Sequence, residues 1–293
     1  MNPLNLRKGH FKNTCTRWTA FGWAFLSVSL FTTSSAQAVL VEIGMLREVT
    51  AHIRPDTLVI LDLDNTVIEP HQTLGSDEWF GASVQRLRAE GKTSEEAEHL
   101  AGQNWREVQL HAPMKFVEPE TLGWIQKVQA AGNRVLGLTA RPNTLAVRTI
   151  EQLREIGVNF LATPITPENI ALDPAAGLVY HEGIIFSGHP IPKGTALLQF
   201  LVTVKHRPTH VIFVDDREHH AKSVEKSLIE AGIEHIVFRY GHNDSKAATY
   251  RSGGAAIAEV QWDVFKASLK ASESSGSPKL LSDGDAQKKL KVE

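Results

Sequence analysis

Short, nearly continuous apolar runs recur along the chain and alternate with longer stretches of helical periodicity. The runs at residues 57–61, 134–138, 159–162, 209–214 and 235–238 lack the in–out alternation of a half-exposed strand. That is the pattern expected for strands of a parallel sheet covered on both faces. Helices are predicted between them over 119–131, 143–156, 195–204 and 221–231. Pro119 suits a helix start, and Gly132, Gly157 and Gly232 suit helix stops. Strands alternating with helices of this length predict an α/β fold with a doubly wound parallel sheet.

Two regions break the rhythm. Residues 69–116 separate the first predicted strand from the next helix and contain Trp79, Phe80 and a second aromatic site at Trp105. Thr93 and Glu96 stand in capping-box register, so a helix is predicted from Ser94. A connection this long is usually functional, and it reads as a small helical cap inserted after the first strand. Its aromatic residues suit a cap core, or a platform for a substrate ring. The second region, 178–188, reads as a short hairpin turning at Glu182-Gly183.

The ends of the chain differ from its middle. Residues 1–17 are polar and basic, a mostly apolar run covers 18–31, and Ala36-Gln37-Ala38 has the small-x-small form of a signal-peptidase site. The apolar run is shorter than the roughly 20 residues a membrane-spanning helix needs. A signal peptide over 1–38 is therefore expected, with export to the periplasm or beyond and no stable membrane anchor. From about residue 270 the chain turns to Ser, Gly, Lys and Asp, and a disordered tail is expected over 271–293. The body between, 39–270, is expected to form one domain.

Composition narrows the function. The 293 residues carry a formal net charge of −2. Without the four basic residues of the first segment the balance is 27 bases against 33 acids, or −6. A mildly acidic protein is a poor candidate for nucleic-acid binding. The one cysteine, Cys15, lies before the expected cleavage point, which excludes thiolate catalysis and Cys-ligated zinc in the mature chain. His219-His220 lacks further ligand spacing and reads as a surface helix start, and the lysines of 288–291 read as a solvated run.

In open α/β sheets, ligands bind beyond the carboxyl ends of the strands. The first apolar run ends in Asp62-Leu63-Asp64-Asn65-Thr66, the second in Thr139-Ala140-Arg141, and the fourth in Asp215-Asp216. Pro192-Lys193-Gly194 opens a helix between them. Lysine is unfavourable at a helix start, where the dipole prefers anions, unless an anion is also bound there. A carboxylate can attack phosphorus directly to give an aspartyl-phosphate. At ~4 Å and an effective dielectric of about 20, each unit pair of like charges costs about 4 kcal/mol, so a carboxylate facing a phosphate dianion costs about 8. A divalent cation and an ammonium would offset that repulsion, and oxygen ligands alone favour Mg²⁺. Arg141 could grip a substrate phosphate or leaving group, or pair with an acid.

Asp62-x-Asp64-x-Thr66, Thr139, Lys193 and Asp215-Asp216, in that order at those strand ends, resemble the four motifs of the haloacid dehalogenase superfamily over roughly 55–245. The resemblance implies that family's Rossmann-like fold with a cap. It also implies Asp62 as nucleophile, Asp64 as general acid/base, and Thr139 and Lys193 as phosphoryl ligands. Mg²⁺ would be held by Asp62, the backbone carbonyl of Asp64, and Asp215 with Asp216. The second Asp is typical of the family's phosphatases. The Thr-Ala-Arg sequence and the export signal are similar to those of a bacterial branch of uncertain substrate. The expectation is an exported, Mg²⁺-dependent phosphatase of a small phosphorylated substrate. A phosphotransferase, or a non-catalytic binding protein on the same scaffold, remains the alternative.

Overall fold

The computed structural model describes residues 40–272 and 277–291; the expected signal peptide lies outside them. Ten strands and nine α-helices follow in chain order among these residues. They are β1 (Leu40–Ile43), β2 (Thr57–Leu61), β3 (Ile68–Pro70), α1 (Asp77–Ala89), α2 (Ser94–Gln109), β4 (Met114–Phe116) and α3 (Thr121–Ala130). Next come β5 (Arg134–Thr139), α4 (Ala146–Glu155), β6 (Ile170–Asp173), β7 (Leu178–His181), β8 (Ile184–Phe186) and α5 (Lys193–Thr203). Then β9 (His210–Asp215), α6 (Glu218–Glu230), β10 (His235–Tyr240), α7 (Lys246–Thr249), α8 (Ala255–Ser272) and α9 (Asp283–Leu290) complete the series.

Eight strands form one sheet in the order β1-β10-β9-β2-β5-β8-β7-β6. Pairing is parallel from β1 through β8, and β7 and β6 add antiparallel at one edge. This is an α/β Rossmann-like fold. All five residues of β2 are buried because the sheet is covered on both faces. Val59 and Leu61 point into one core with residues of α3, α4 and α8. Leu58 and Ile60 point into the other, with α5 and α6. Successive strand side chains face opposite ways, so two cores demand an unbroken apolar run.

The cap is a pair of helices, α1 and α2, entered and left through β3 and β4, which pair antiparallel. Thr93 and Glu96 make the expected capping box, with reciprocal bonds of 3.2 and 2.9 Å. At Gly75, before α1, φ is +88° and an added Cβ would lie 2.8 Å from Val108 Cγ1, so the turn into the cap needs glycine.

Three expectations are corrected. Residues 159–162 are not a strand: Phe160–Ala162 is a single 3-10 turn, capped by the Asn159 side chain accepting from Leu161 N at 2.9 Å. The place beside β5 belongs to β8, the second strand of the hairpin expected at 178–188. The cap follows the second strand rather than the first, because β1 precedes β2 and pairs with β10 at the far edge. Nor is the described part of the tail, 277–291, without structure. Asp283 accepts from Thr73 N (2.7 Å), Thr73 Oγ1 (2.9 Å) and Gln261 Nε2 (2.8 Å), and Leu281 and Ala286 are buried. Ser282 caps α9, with acids in its first turn and lysines in its last, so polar composition here serves a helix.

Candidate active site

The strand order reverses at β2: β5 and β8 extend from one side of it, β9 and β10 from the other. Such a switch point leaves a crevice at the carboxyl ends of the strands. Leu61 pairs with Val214, so the next residues along, Asp62 and Asp215, lie side by side, with Asp62 N bonded to Val214 O at 2.9 Å. After β2 the chain turns sharply, with Asn65 at φ +58° and Ile68 N donating to Leu63 O at 2.9 Å. Asparagine is among the residues that tolerate this left-handed conformation. Thr66, inside the same turn, is fully buried and its hydroxyl has no hydrogen-bond partner.

Lys193, the first residue of α5, is 1% exposed and reaches down to bond both Asp62 and, at 2.7 Å, Asp215. Gly194 makes this approach possible, since a Cβ there would collide with the Ser223 carbonyl of α6. Asp215 is wholly buried, and its other oxygen accepts from Arg217 N at 2.8 Å. Among the described residues, Asp62, Asp215 and Asp216 are the one group of three potential metal ligands whose atoms converge, all within 4.8 Å.

The electrostatics are those of a site short of positive charge. Burial pushes the Asp62 carboxyl up to about 8; Lys193 opposes the shift, while Asp215 and Asp64 add to it. Burial raises Asp215 too, against the pull of Lys193. Asp216 is pushed up to about 9, by burial first and then by the charges of Asp62, Asp215 and Asp77. Burial also works against the Lys193 ammonium, but Asp215 and Asp62 outweigh it and keep the group charged. Lys193 is shared by Asp62 and Asp215, and Arg217 by Asp216 and Asp77, so four carboxylates face two cations. A hard divalent cation fits this all-oxygen donor set in both charge and ligand type.

Thr139 ends β5 at 1% exposure, and its hydroxyl accepts from Arg141 N at 3.1 Å. Arg141 is paired with an acid. Its Nε and one Nη donate to the two oxygens of Asp64 at 2.8 and 2.7 Å. The other Nη donates to Thr149 (3.0 Å) and Gln152 (2.8 Å) of α4, and Gln109 of α2 accepts at 3.1 Å. All five guanidinium N–H groups are thereby occupied, which leaves none to grip a substrate.

The cap aromatics divide between roles. Trp79 is buried against Trp262 of α8, with ring centres 5.4 Å apart, and so belongs to packing. Phe80 stacks on His189 at 6.3 Å, and Trp105 lies over Arg141 with its centroid 5.5 Å from the guanidinium carbon. The rings of His219 and His220 lie tilted against each other at the start of α6, with centroids 4.0 Å apart, and burial holds His220 neutral, down to about 2. Sequence reasoning missed Arg217, whose guanidinium bonds Asp77 of α1 at 2.6 Å and lies 3.4 Å from Asp216. Its position directly after the two acids was the available signal. Gln109 and Gln152 carry no such local signal.

Relatives and solved structures resemble this chain to different degrees. A Chlamydia pneumoniae protein provisionally named as an outer membrane protein is 27% identical over 253 residues, covering 83% of this chain and 92% of that one. A Chlamydia muridarum protein of the same provisional name is 27% identical over 256 residues, covering 86% and 95%. A haloacid dehalogenase-like hydrolase of Streptococcus pneumoniae aligns at 13% identity over 67% of this chain and 98% of its own, with a TM-score of 0.40. A tungstate-bound class C acid phosphatase from Bacillus anthracis aligns at 14% identity over 70% and 82%, with a TM-score of 0.32. Residues 42–275 match the family model described as a protein of unknown function, DUF2608, and the chain belongs to that family.

Proposed function

We propose that the protein is a Mg²⁺-dependent phosphohydrolase that cleaves a small phosphomonoester through an aspartyl-phosphate on Asp62. The observation that carries this reading is the buried group at the switch point. Asp62 is joined to Asp215 by Lys193, with Asp216 converging on the same space. Bound at Asp62, Asp215, Asp216 and the Asp64 carbonyl, the metal would neutralise the carboxylates and the incoming phosphoryl group. Asp62 Oδ attacks phosphorus as the phosphorus–oxygen bond to the leaving group breaks. Asp64 gives that oxygen a proton, then takes one from the water that hydrolyses the aspartyl-phosphate. The Lys193 ammonium and the Thr139 hydroxyl hold phosphoryl oxygens, so catalysis is chiefly positioning and charge neutralisation. Asp62 is 5% exposed, so bulk water has little access to it. The expected signal peptide and the outer-membrane names of the relatives support an exported enzyme.

Phosphate release from a panel of phosphomonoesters, with and without Mg²⁺, tests the reading. Wild type should turn over only with the metal. Asp62→Asn keeps the side chain's shape and removes the nucleophile, so it should fold normally and lose turnover. Activity close to wild type in that variant would sink the mechanism, and a silent wild type would favour a binding protein on this scaffold.

A further inference from the structure

We propose that Arg141 is the positioning residue of this site: it sets the plane of the Asp64 carboxylate and makes that setting depend on the seating of cap helix α2. The inference rests on the phosphatase reading above, because it assigns Arg141 a part in the work of Asp64.

The Arg141 side chain is 1% exposed and its guanidinium fully bonded, while the Asp64 side chain is 19% exposed. One partner is therefore fixed in the interior and the other faces the crevice. A planar fork on a planar carboxylate takes one lone pair from each oxygen and leaves the others free. Asp64 keeps lone pairs open to the crevice, but it cannot rotate without breaking two charge-assisted bonds. Lysine, a single point charge, would not impose that plane.

Arg141 itself is held from two sides. Thr149 and Gln152 come from α4, part of the sheet-covering layer. Gln109 and Trp105 come from α2, in the cap. Gln109 is also fastened to the cap's starting turn, donating to Gly75 O at 2.8 Å, and its own carbonyl accepts from Gln152 Nε2 at 2.9 Å. If α2 lifts, Arg141 loses one acceptor and the ring above it. A buried guanidinium with an unsatisfied donor then shifts, and Asp64 shifts with it. Trp105 Nε1 is buried without a partner beside this group, so the cap's hold on it is not braced by a further bond. Closure of the cap would thus complete the alignment of Asp64, as lids do in other enzymes.

Steady-state kinetics in saturating Mg²⁺ on two substrates, p-nitrophenyl phosphate and an alkyl phosphate, test this. The alkyl leaving group needs a proton and the nitrophenolate hardly does. Arg141→Lys should lower kcat on the alkyl phosphate by about 10²-fold and on the aryl phosphate by less than about 10-fold, with both KM values within about 3-fold of wild type. Gln109→Met keeps the length of the side chain and removes both its acceptor to Arg141 and its donor to Gly75, so it carries the test if Arg141→Lys does not fold. It should show the same leaving-group bias to a smaller degree. The double variant should be no worse than Arg141→Lys alone, as for two parts of one relay. A raised KM with unchanged kcat would make Arg141 a substrate ligand and overturn the proposal. Equal losses on both substrates, or additive losses, would make it merely structural and overturn it as well. A wild type silent on both substrates would instead remove the phosphatase reading, and the proposal with it.

Discussion

Asp62, Asp215, Asp216 and Lys193 occupy a space almost closed to water, and their charges do not sum to zero. Asp62 and Asp216 have folded-state values of about 8 and about 9, set first by burial, far above those of the unfolded chain. An acid whose value rises on folding binds more protons folded than unfolded, so its contribution to stability is full at low pH and is lost as pH rises toward the folded value. The metal-free protein is therefore expected to melt progressively lower from about pH 5 to about pH 9. Asp216→Asn removes one of the two repelling groups and should flatten that slope, which melting curves across pH in a chelator would show. A slope unchanged in the variant would mean that Asp216 carries no part of the strain. These acids were legible in the sequence because each stands at the end of an apolar run, where local pattern alone sets its place. The neutral partners of Arg141 were not, since Gln109, Thr149 and Gln152 reach it only through the packing of α2 and α4, and no spacing along the chain encodes that.

Among the elements, those the sequence announced owe their form to local pattern, and those it concealed owe theirs to packing. Strand β2 and the capping box of α2 stand where their residues predict, because both faces of the sheet and both capping partners are local requirements. The apolar run at 159–162 has strand composition, yet β8 already fills the position beside β5, and Phe160 turns instead under Gly183, where a Cβ would strike it. Helix α9 was concealed by its composition. Few apolar residues anchor it, and Asp283 supplies what they do not by binding the backbone and hydroxyl of Thr73, just ahead of helix α1. Asp283→Ala deletes these charge-assisted bonds and strands a partly buried N–H. It should cost about 2 kcal/mol, read as a lower urea midpoint at unchanged slope. It should also speed amide exchange at residues 73–79, at the base of α1. Unchanged exchange there would reduce the C-terminal helix to a passenger.

At the scale of the whole molecule, the fold's contribution is to bring together groups about 150 residues apart. Parallel pairing of β2 with β9 sets Asp62 beside Asp215, and the start of α5 lowers Lys193 between them. Each strand tip alone would be an ordinary turn; together they create a deficit of positive charge that the chain itself leaves unmet. Mg²⁺ should therefore stabilise the native state by mass action and raise its melting temperature with concentration. Asp215→Ala with Asp216→Ala should abolish the increment, and high Mg²⁺ should not restore turnover. Calcium prefers the same oxygens but accepts longer bonds and more ligands, so it should raise the melting temperature yet support little turnover. Calorimetry of wild type and double variant in each metal separates these outcomes. An unchanged melting temperature in Mg²⁺, together with undiminished turnover in a chelator, would reject a metal-assisted reaction at this site.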